Sequence, residues 1–349
     1  MAITVHVGPP KTGTSYVQAA LAANRQQLAE VGVDYAPAGA GPNHNGVLAD
    51  FIASRPDMPE PARDLLDRRR RVDPDASGRW QRLLANVDPR RHTVISAEFC
   101  AFLDAPGIEA MLGELSAVDE DVRVVVTWRA PSKMLPSYYQ QVARVQVMPT
   151  FEAYVGEVLR LLPHAVVGSR EWWMDGDVFP KVWGQFPVSI IEAGPHMVDD
   201  FLAVIGVPGP MEPAGDQSRN ESLSAAQIAV WQAHLARHEG RHPSALARVR
   251  TRMRRLPLAE NRLALRQDLA ADFDAAYGVG SASASRAAAK QRIVQALASS
   301  DALTSWTATA QDDDVLRRLG AWQRLFDAAV LFRTPLLKLR RGALAVKAR

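Results

Sequence analysis

A lysine enclosed by two glycines and followed by hydroxyls is the first chemistry-bearing group in the chain: Gly8, Pro9, Pro10, Lys11, Thr12, Gly13, Thr14 and Ser15 are consecutive. The glycines permit close backbone approach, and a helix starting just after them offers unpaired N–H groups and the positive end of its dipole to an anion. Lys11 adds a full charge, while Thr12, Thr14 and Ser15 add hydroxyl donors. Phosphate or sulfate is the ligand class that such a combination favours. The glycine spacing is that of a nucleoside-triphosphate loop, G-x-x-x-x-G-K-[ST], but the lysine lies inside the loop instead of after the second glycine. Pro9 and Pro10 stiffen the backbone from which it projects.

Three further groups carry chemistry. Glu98 follows the β-branched run His92 to Ser96, and a carboxylate at the carboxyl end of a strand in a parallel sheet stands where it can remove a proton from an acceptor hydroxyl. Arg129 follows Val122 to Trp128, with Ser137 eight residues on, so that a forked guanidinium and a hydroxyl can converge on one phosphate dianion. His44 lies in a Gly-, Pro- and Asn-rich loop, Pro37 to Asn45, that either is solvated or folds over the expected site. The structural alternatives are a helix-capping Glu98, a surface Arg129, a Ser137 N-cap and a solvated His44. Two anion elements at two strand ends suit a ligand with two phosphate-like groups.

These groups need strands and helices to hold them. Ile3 to Val7, His92 to Ser96, Val122 to Trp128 and Val188 to Ile191 read as buried strands, with Val31 to Tyr35 a short extended segment. Tyr16, Val17, Ala20 and Leu21 recur at helical spacing after the glycine loop. Residues 47 to 86 read as helical and charged, and Met197 to Ile205 as an amphipathic helix closed by Gly206 and Pro208. Ser224 and Gln227 form a capping box at the start of another helix. Trp172 and Trp173, in an aromatic stretch, read mainly as core and secondarily as an acceptor platform. Gly278 to Ser285 reads as a loop.

GPPKTGTSYVQ, with its internal lysine after a strand, resembles the 5′-phosphosulfate loop of sulfotransferases that use 3′-phosphoadenosine 5′-phosphosulfate (PAPS), in particular bacterial members related to carbohydrate sulfotransferases. Arg129 with Ser137 resembles the 3′-phosphate signature of the same enzymes, and Arg219 and Asn220, within QSRNESLS, resemble a late loop that closes over the 3′-phosphoadenosine. The resemblance runs in order over residues 3 to 224. It implies a P-loop-like three-layer α/β/α fold with a central parallel sheet and a helical C-terminal elaboration. It further implies PAPS as cofactor, bound by Pro10, Lys11, Thr12, Gly13, Thr14, Ser15, Arg129, Ser137, Arg219 and Asn220, and a general base that is Glu98 or His44. The acceptor is then a carbohydrate, glycolipid or small-molecule hydroxyl or amine, and no metal is needed. An NTP-dependent kinase and a non-catalytic binding protein on the same fold are the competing readings.

The 349 residues suit a catalytic domain over 1–240 and a helical extension over 241–349. No apolar run approaches the ~18 residues of a membrane span, and Lys11 with the strand-loop pattern interrupts the N-terminus where a secretory signal's apolar core would lie, so a cytoplasmic location is expected. Cys100 is the single cysteine, which excludes an intramolecular disulfide and a cysteine zinc cluster and suggests a buried side chain. The last 17 residues carry six cations and no acid, against +3 for the whole chain, so the body is slightly acidic and the tail basic. No nucleic-acid partner is expected; the tail's charge suits a solvated end or peripheral contact with acidic lipid.

Overall fold

The computed structural model describes residues 2–35, 42–55, 78–144, 146–165, 167, 172–209, 211, 224–237, 263–299 and 303–304. The chain divides into two compact units: Met1–Tyr138 with Val155–Asn220 and Gln267–Asp301, and Tyr139–Tyr154 with Glu221–Arg266 and Ala302–Arg349. The first unit holds the sheet and every candidate residue that the structure describes.

Strand β1, Ile3–Val7, is buried along its whole length and feeds the glycine loop, after which α1 runs from Thr14 to Ala23 and α2 from Arg25 to Glu30. The extended segment expected near Val31 is the two-residue β2, Val33–Asp34. Within 47–86 the described residues form α3, Asn45–Ala53, and α4, Arg79–Ala85; residues 56–77 lie outside the described set. Strand β3 is His92–Ala97, and Glu98 opens a 3₁₀ turn that runs to Phe102. Asp104 then caps α5, Ala105–Ser116: its Oδ1 accepts from the Gly107 N–H at 2.9 Å, and Ile108, Met111, Leu112 and Leu115 form the buried stripe at helical spacing.

Strand β4 is Val122–Trp128, as its β-branched run predicts. Helices α6, Pro131–Ala143, and α7, Phe151–Leu161, each begin in one unit and end in the other. They are followed by α8, Val178–Trp183, β5, Val188–Glu192, and α9, Met197–Val204.

All five strands are parallel, in the order β2-β3-β1-β4-β5. The connection from β1 leads to β2 on one side, while that from β3 passes β1 to reach β4 on the other. Right-handed crossovers therefore send their helices to opposite faces. On one face Val94, Val125 and Ile191 of the sheet meet Val17 and Leu21 of α1, Leu28 of α2 and Phe201 and Leu202 of α9. Ile3, Val5, Val7, Val124 and Val126 alternate with that set and are buried on the other face. The class is α/β, with a sheet covered on both sides. Cys100 is buried as expected, and burial pushes its thiol up to about 12.

The second unit contains α10, Ala225–Arg237, and the expected capping box stands at its start: Gln227 N–H donates to Ser224 Oγ at 3.2 Å and Ser224 N–H to Gln227 Oε1 at 2.9 Å. Gln232 closes the turn after α6, accepting from Met148 N–H at 2.6 Å and donating to the Gln146 carbonyl at 3.0 Å. Two helices from the stretch after residue 240, α11 at Gln267–Tyr277 and α12 at Ser283–Ala298, group with the sheet-bearing unit. Between them lies most of the loop expected at Gly278 to Ser285. Among the described residues no helix is long and apolar enough to cross a membrane.

Candidate functional site

The carboxyl ends of three neighbouring strands converge. Val7 of β1 pairs with Ala97 of β3 and with Val126 of β4, so Gly8, Glu98 and Thr127 stand level across the middle of the sheet. Neighbouring strands are about 4.8 Å apart. The glycine loop thus rises between a strand followed directly by the carboxylate of Glu98 and a strand followed directly by Arg129.

The loop is a tight, strained cradle. Thr12 N–H reaches the Pro9 carbonyl at 3.4 Å, leaving Pro10 and Lys11 in the middle of a turn, and Lys11 has φ 69°. Proline followed by a left-handed residue is the pattern of a type II turn, whose third position glycine usually fills. Lys11 is the sole non-glycine residue with positive φ among the described residues. Gly13 follows at φ 89° as N-cap of α1, with no side-chain cap on the helix and no acid in its first turn. Gly8 is needed for space, because a Cβ there would come within 1.8 Å of Thr14 Oγ1; one on Gly13 would meet Met197 Cε at 2.5 Å.

The three hydroxyls have different surroundings. Thr12 is fully buried and donates from Oγ1 to the Pro9 carbonyl at 2.8 Å, and Thr14, also buried, lies 3.3 Å from that oxygen. Ser15 is exposed. Pro10 is buried and Lys11 partly so. The proton of Thr12 therefore shapes the loop, while the helix-opening N–H groups, Lys11 and Ser15 are the parts suited to an anion.

Glu98 feels two opposed effects: burial pushes its carboxyl up, and the Lys11 ammonium pulls it back. That coupling brings together two residues 87 positions apart, the loop cation and the strand-end acid. His44 is 1% exposed and laced to the end of β3. Its N–H donates to the Ser96 carbonyl at 2.8 Å, its Nδ1 accepts from Ser96 N–H at 3.1 Å, and its ring meets Tyr35 edge-on at 4.9 Å. Beside it, Asn45 Oδ1 accepts from Phe99 N–H at 3.4 Å. His44 and Asn45 thus fix the backbone on both sides of Glu98.

Arg129 is partly buried at the exit of β4, and Ser137 is partly buried inside α6 instead of at its N-cap. The N-terminus of that helix is already occupied: Ser132 N–H and Oγ donate to the two carboxylate oxygens of Asp274 on α11, at 2.8 and 2.6 Å. Pro136 inside α6 removes one backbone donor just before Ser137. Arg219 and Asn220 lie outside the described residues.

Trp172 and Trp173 correct the secondary reading of an acceptor platform. They are 1% and 2% exposed, packed against Phe179 and Tyr138, and so form core. Their density of apolar contact is what the aromatic stretch encodes.

Sequence reading passed over a buried polar layer beneath the loop. His6 Nδ1 is 2.7 Å from Ser96 Oγ and its Nε2 3.2 Å from Thr127 Oγ1. Thr127 Oγ1 is in turn 3.2 Å from Thr12 Oγ1, and Gln18 Nε2 donates to Ser96 Oγ at 3.1 Å. The available signal was a polar residue near the carboxyl end of each of three β-branched strand runs: His6, Ser96 and Thr127.

No protein-family model matches the chain, and a search of curated proteins returns no match.

Proposed function

We propose that the chain is a PAPS-dependent sulfotransferase with a P-loop-like α/β domain, acting on a carbohydrate, glycolipid or small-molecule hydroxyl or amine. The observation that carries this reading is the order of the strands: Glu98 and Arg129 end the two strands that flank the one feeding an uncapped, lysine-bearing anion loop. The loop residues fit a phosphosulfate, since the first turn of α1 holds no acid and its N–H groups meet no side-chain cap.

When bound, PAPS supplies an activated sulfuryl group. Lys11 and the N–H groups at the start of α1 hold the 5′-phosphosulfate and stabilise charge that grows on the leaving phosphate oxygen. Glu98 takes the acceptor's proton as the new bond to sulfur forms and the bond from sulfur to the phosphate oxygen breaks, leaving 3′,5′-adenosine bisphosphate. Arg129 and Ser137 hold the 3′-phosphate, with Arg219 and Asn220 as further contacts to the nucleotide. His44 acts on this site through the backbone of Ser96.

The base must be ionised to work. With its carboxyl raised by burial, Glu98 gives an activity that increases with pH through a value above the ordinary 4.5, and Glu98→Gln removes that limb together with about 10²-fold or more of the rate. Product formation by Glu98→Gln at the wild-type rate would eliminate the base assignment.

One observation favours a second reading. Because β3 lies beside β1, Glu98 also stands where an acid could hold a magnesium ion for a nucleoside triphosphate, which suits a kinase. Calorimetry separates the two: 3′,5′-adenosine bisphosphate binds without metal and loses affinity in Lys11→Ala and Arg129→Ala. Tight binding of ATP with Mg²⁺ and none of the bisphosphate overturns the sulfotransferase reading.

A further inference from the structure

The buried polar layer under the loop has a single self-consistent direction. Thr12 Oγ1 spends its proton on the Pro9 carbonyl, which can only accept, so its contact with Thr127 is one in which Thr127 Oγ1 donates. Thr127 then has no proton left and accepts from His6 Nε2–H. A neutral imidazole carries one N–H, so His6 Nδ1 accepts from Ser96 Oγ–H, and Ser96 Oγ accepts from Gln18. The chain of donors runs from α1 through β3, β1 and β4 back into the loop.

Each member is shielded from water: His6, Ser96, Thr127 and Thr12 are 0% exposed and Gln18 2%. A broken link leaves a buried donor or acceptor unpaired, with no solvent to replace it. The last link ties the Pro9 carbonyl down to the buried side and closes the turn that holds Lys11 at positive φ.

We propose that His6 is a positioning residue for the anion loop: its Nε2–H, passed on through Thr127 and Thr12, sets the Pro9–Thr12 turn in the form that presents Lys11 and the α1 N–H groups. Its binding consequence rests on the reading of that loop as an anion site, so the experiment has one arm that needs no ligand. The imidazole's two nitrogens have separate amide mimics: Gln places a donor near Nε2, and Asn places an acceptor near Nδ1.

Amide hydrogen exchange in residues 8–15 of the ligand-free protein is followed in wild type, Thr127→Val, Thr127→Ser, His6→Gln and His6→Asn. Thr127→Val and His6→Asn are expected to speed loop exchange about tenfold beyond any change in the β4 amides, with Thr127→Ser and His6→Gln near wild type. Binding of inorganic pyrophosphate is expected to weaken about tenfold in the same two variants. Loop exchange that follows the sheet in all four variants, as a merely structural role predicts, overturns the proposal. A wild type that binds neither pyrophosphate nor 3′,5′-adenosine bisphosphate sinks the proposed function, while the exchange arm still decides the role of His6.

Discussion

At the scale of single residues, Lys11 carries a conflict between backbone and charge. A non-glycine residue at positive φ costs about 1 kcal/mol or more, and the loop retains it where glycine would relax the turn. Lys11→Gly is therefore expected to leave stability within about 1 kcal/mol of wild type, as relief of strain offsets glycine's unfolded-state entropy, while transfer activity falls at least about 100-fold. Urea denaturation and a sulfuryl-transfer assay check the two halves separately. His6 yields a second residue-scale prediction. Burial holds its imidazole down to about 3, against 6.5 for an ordinary histidine. Between those values the unfolded chain binds a proton that the folded protein does not, so stability is full above 6.5 and drains as pH falls toward 3. From pH 7 to pH 5 the loss is about 2 kcal/mol. His92, also lowered by burial, works in the same sense; Glu98, raised, contributes stability at low pH that is lost as pH rises through its shifted value. The difference between wild type and His6→Gln isolates the histidine share: denaturation midpoints at the two pH values should lie closer together in the variant.

At the scale of elements, the sheet owes its legibility to β-branched runs that are buried almost throughout, as in Ile3–Val7 and Val122–Trp128, where pattern and burial demand the same conformation. Asp104 shows the local rule at its simplest. Asp104→Ala removes the acceptor for Gly107 N–H and should destabilise the protein by about 1 kcal/mol, read as a shift in the denaturation midpoint with activity unchanged. What sequence could not supply was neighbourhood. That β3 and not only β4 flanks the loop strand follows from long-range pairing, and with it comes the electrostatic influence of Lys11 on Glu98. The inward turn of the Thr12 hydroxyl was hidden for a similar reason: its neighbour Thr127 arrives 115 residues later. Ser137 falls inside α6, as one of the two placements open in the sequence, and only its N-cap alternative fails, because a Pro–Ser pair inside a helix carries the same local signal as a helix start.

At the scale of the whole molecule, binding to the folded state alone raises stability by mass action. At 100 times its dissociation constant, 3′,5′-adenosine bisphosphate should add about 2.7 kcal/mol and raise the melting temperature, with no rise in Lys11→Gly. Calorimetric melting at several ligand concentrations measures this. The placement of β1 has a consequence of another kind. It is an inner strand of the sheet, yet both of its partners, His92–Ala97 and Val122–Trp128, are synthesised well after it. On the ribosome an apolar strand with two open edges must wait until β4 has emerged. Its closure is then a step of high contact order, slow to form and exposed to mispairing in the interval. The aggregation hazard of this protein thus belongs to its nascent chain, and slower translation after β4 would do nothing to relieve it, whereas a chaperone that covers Ile3–Val7 during the wait would.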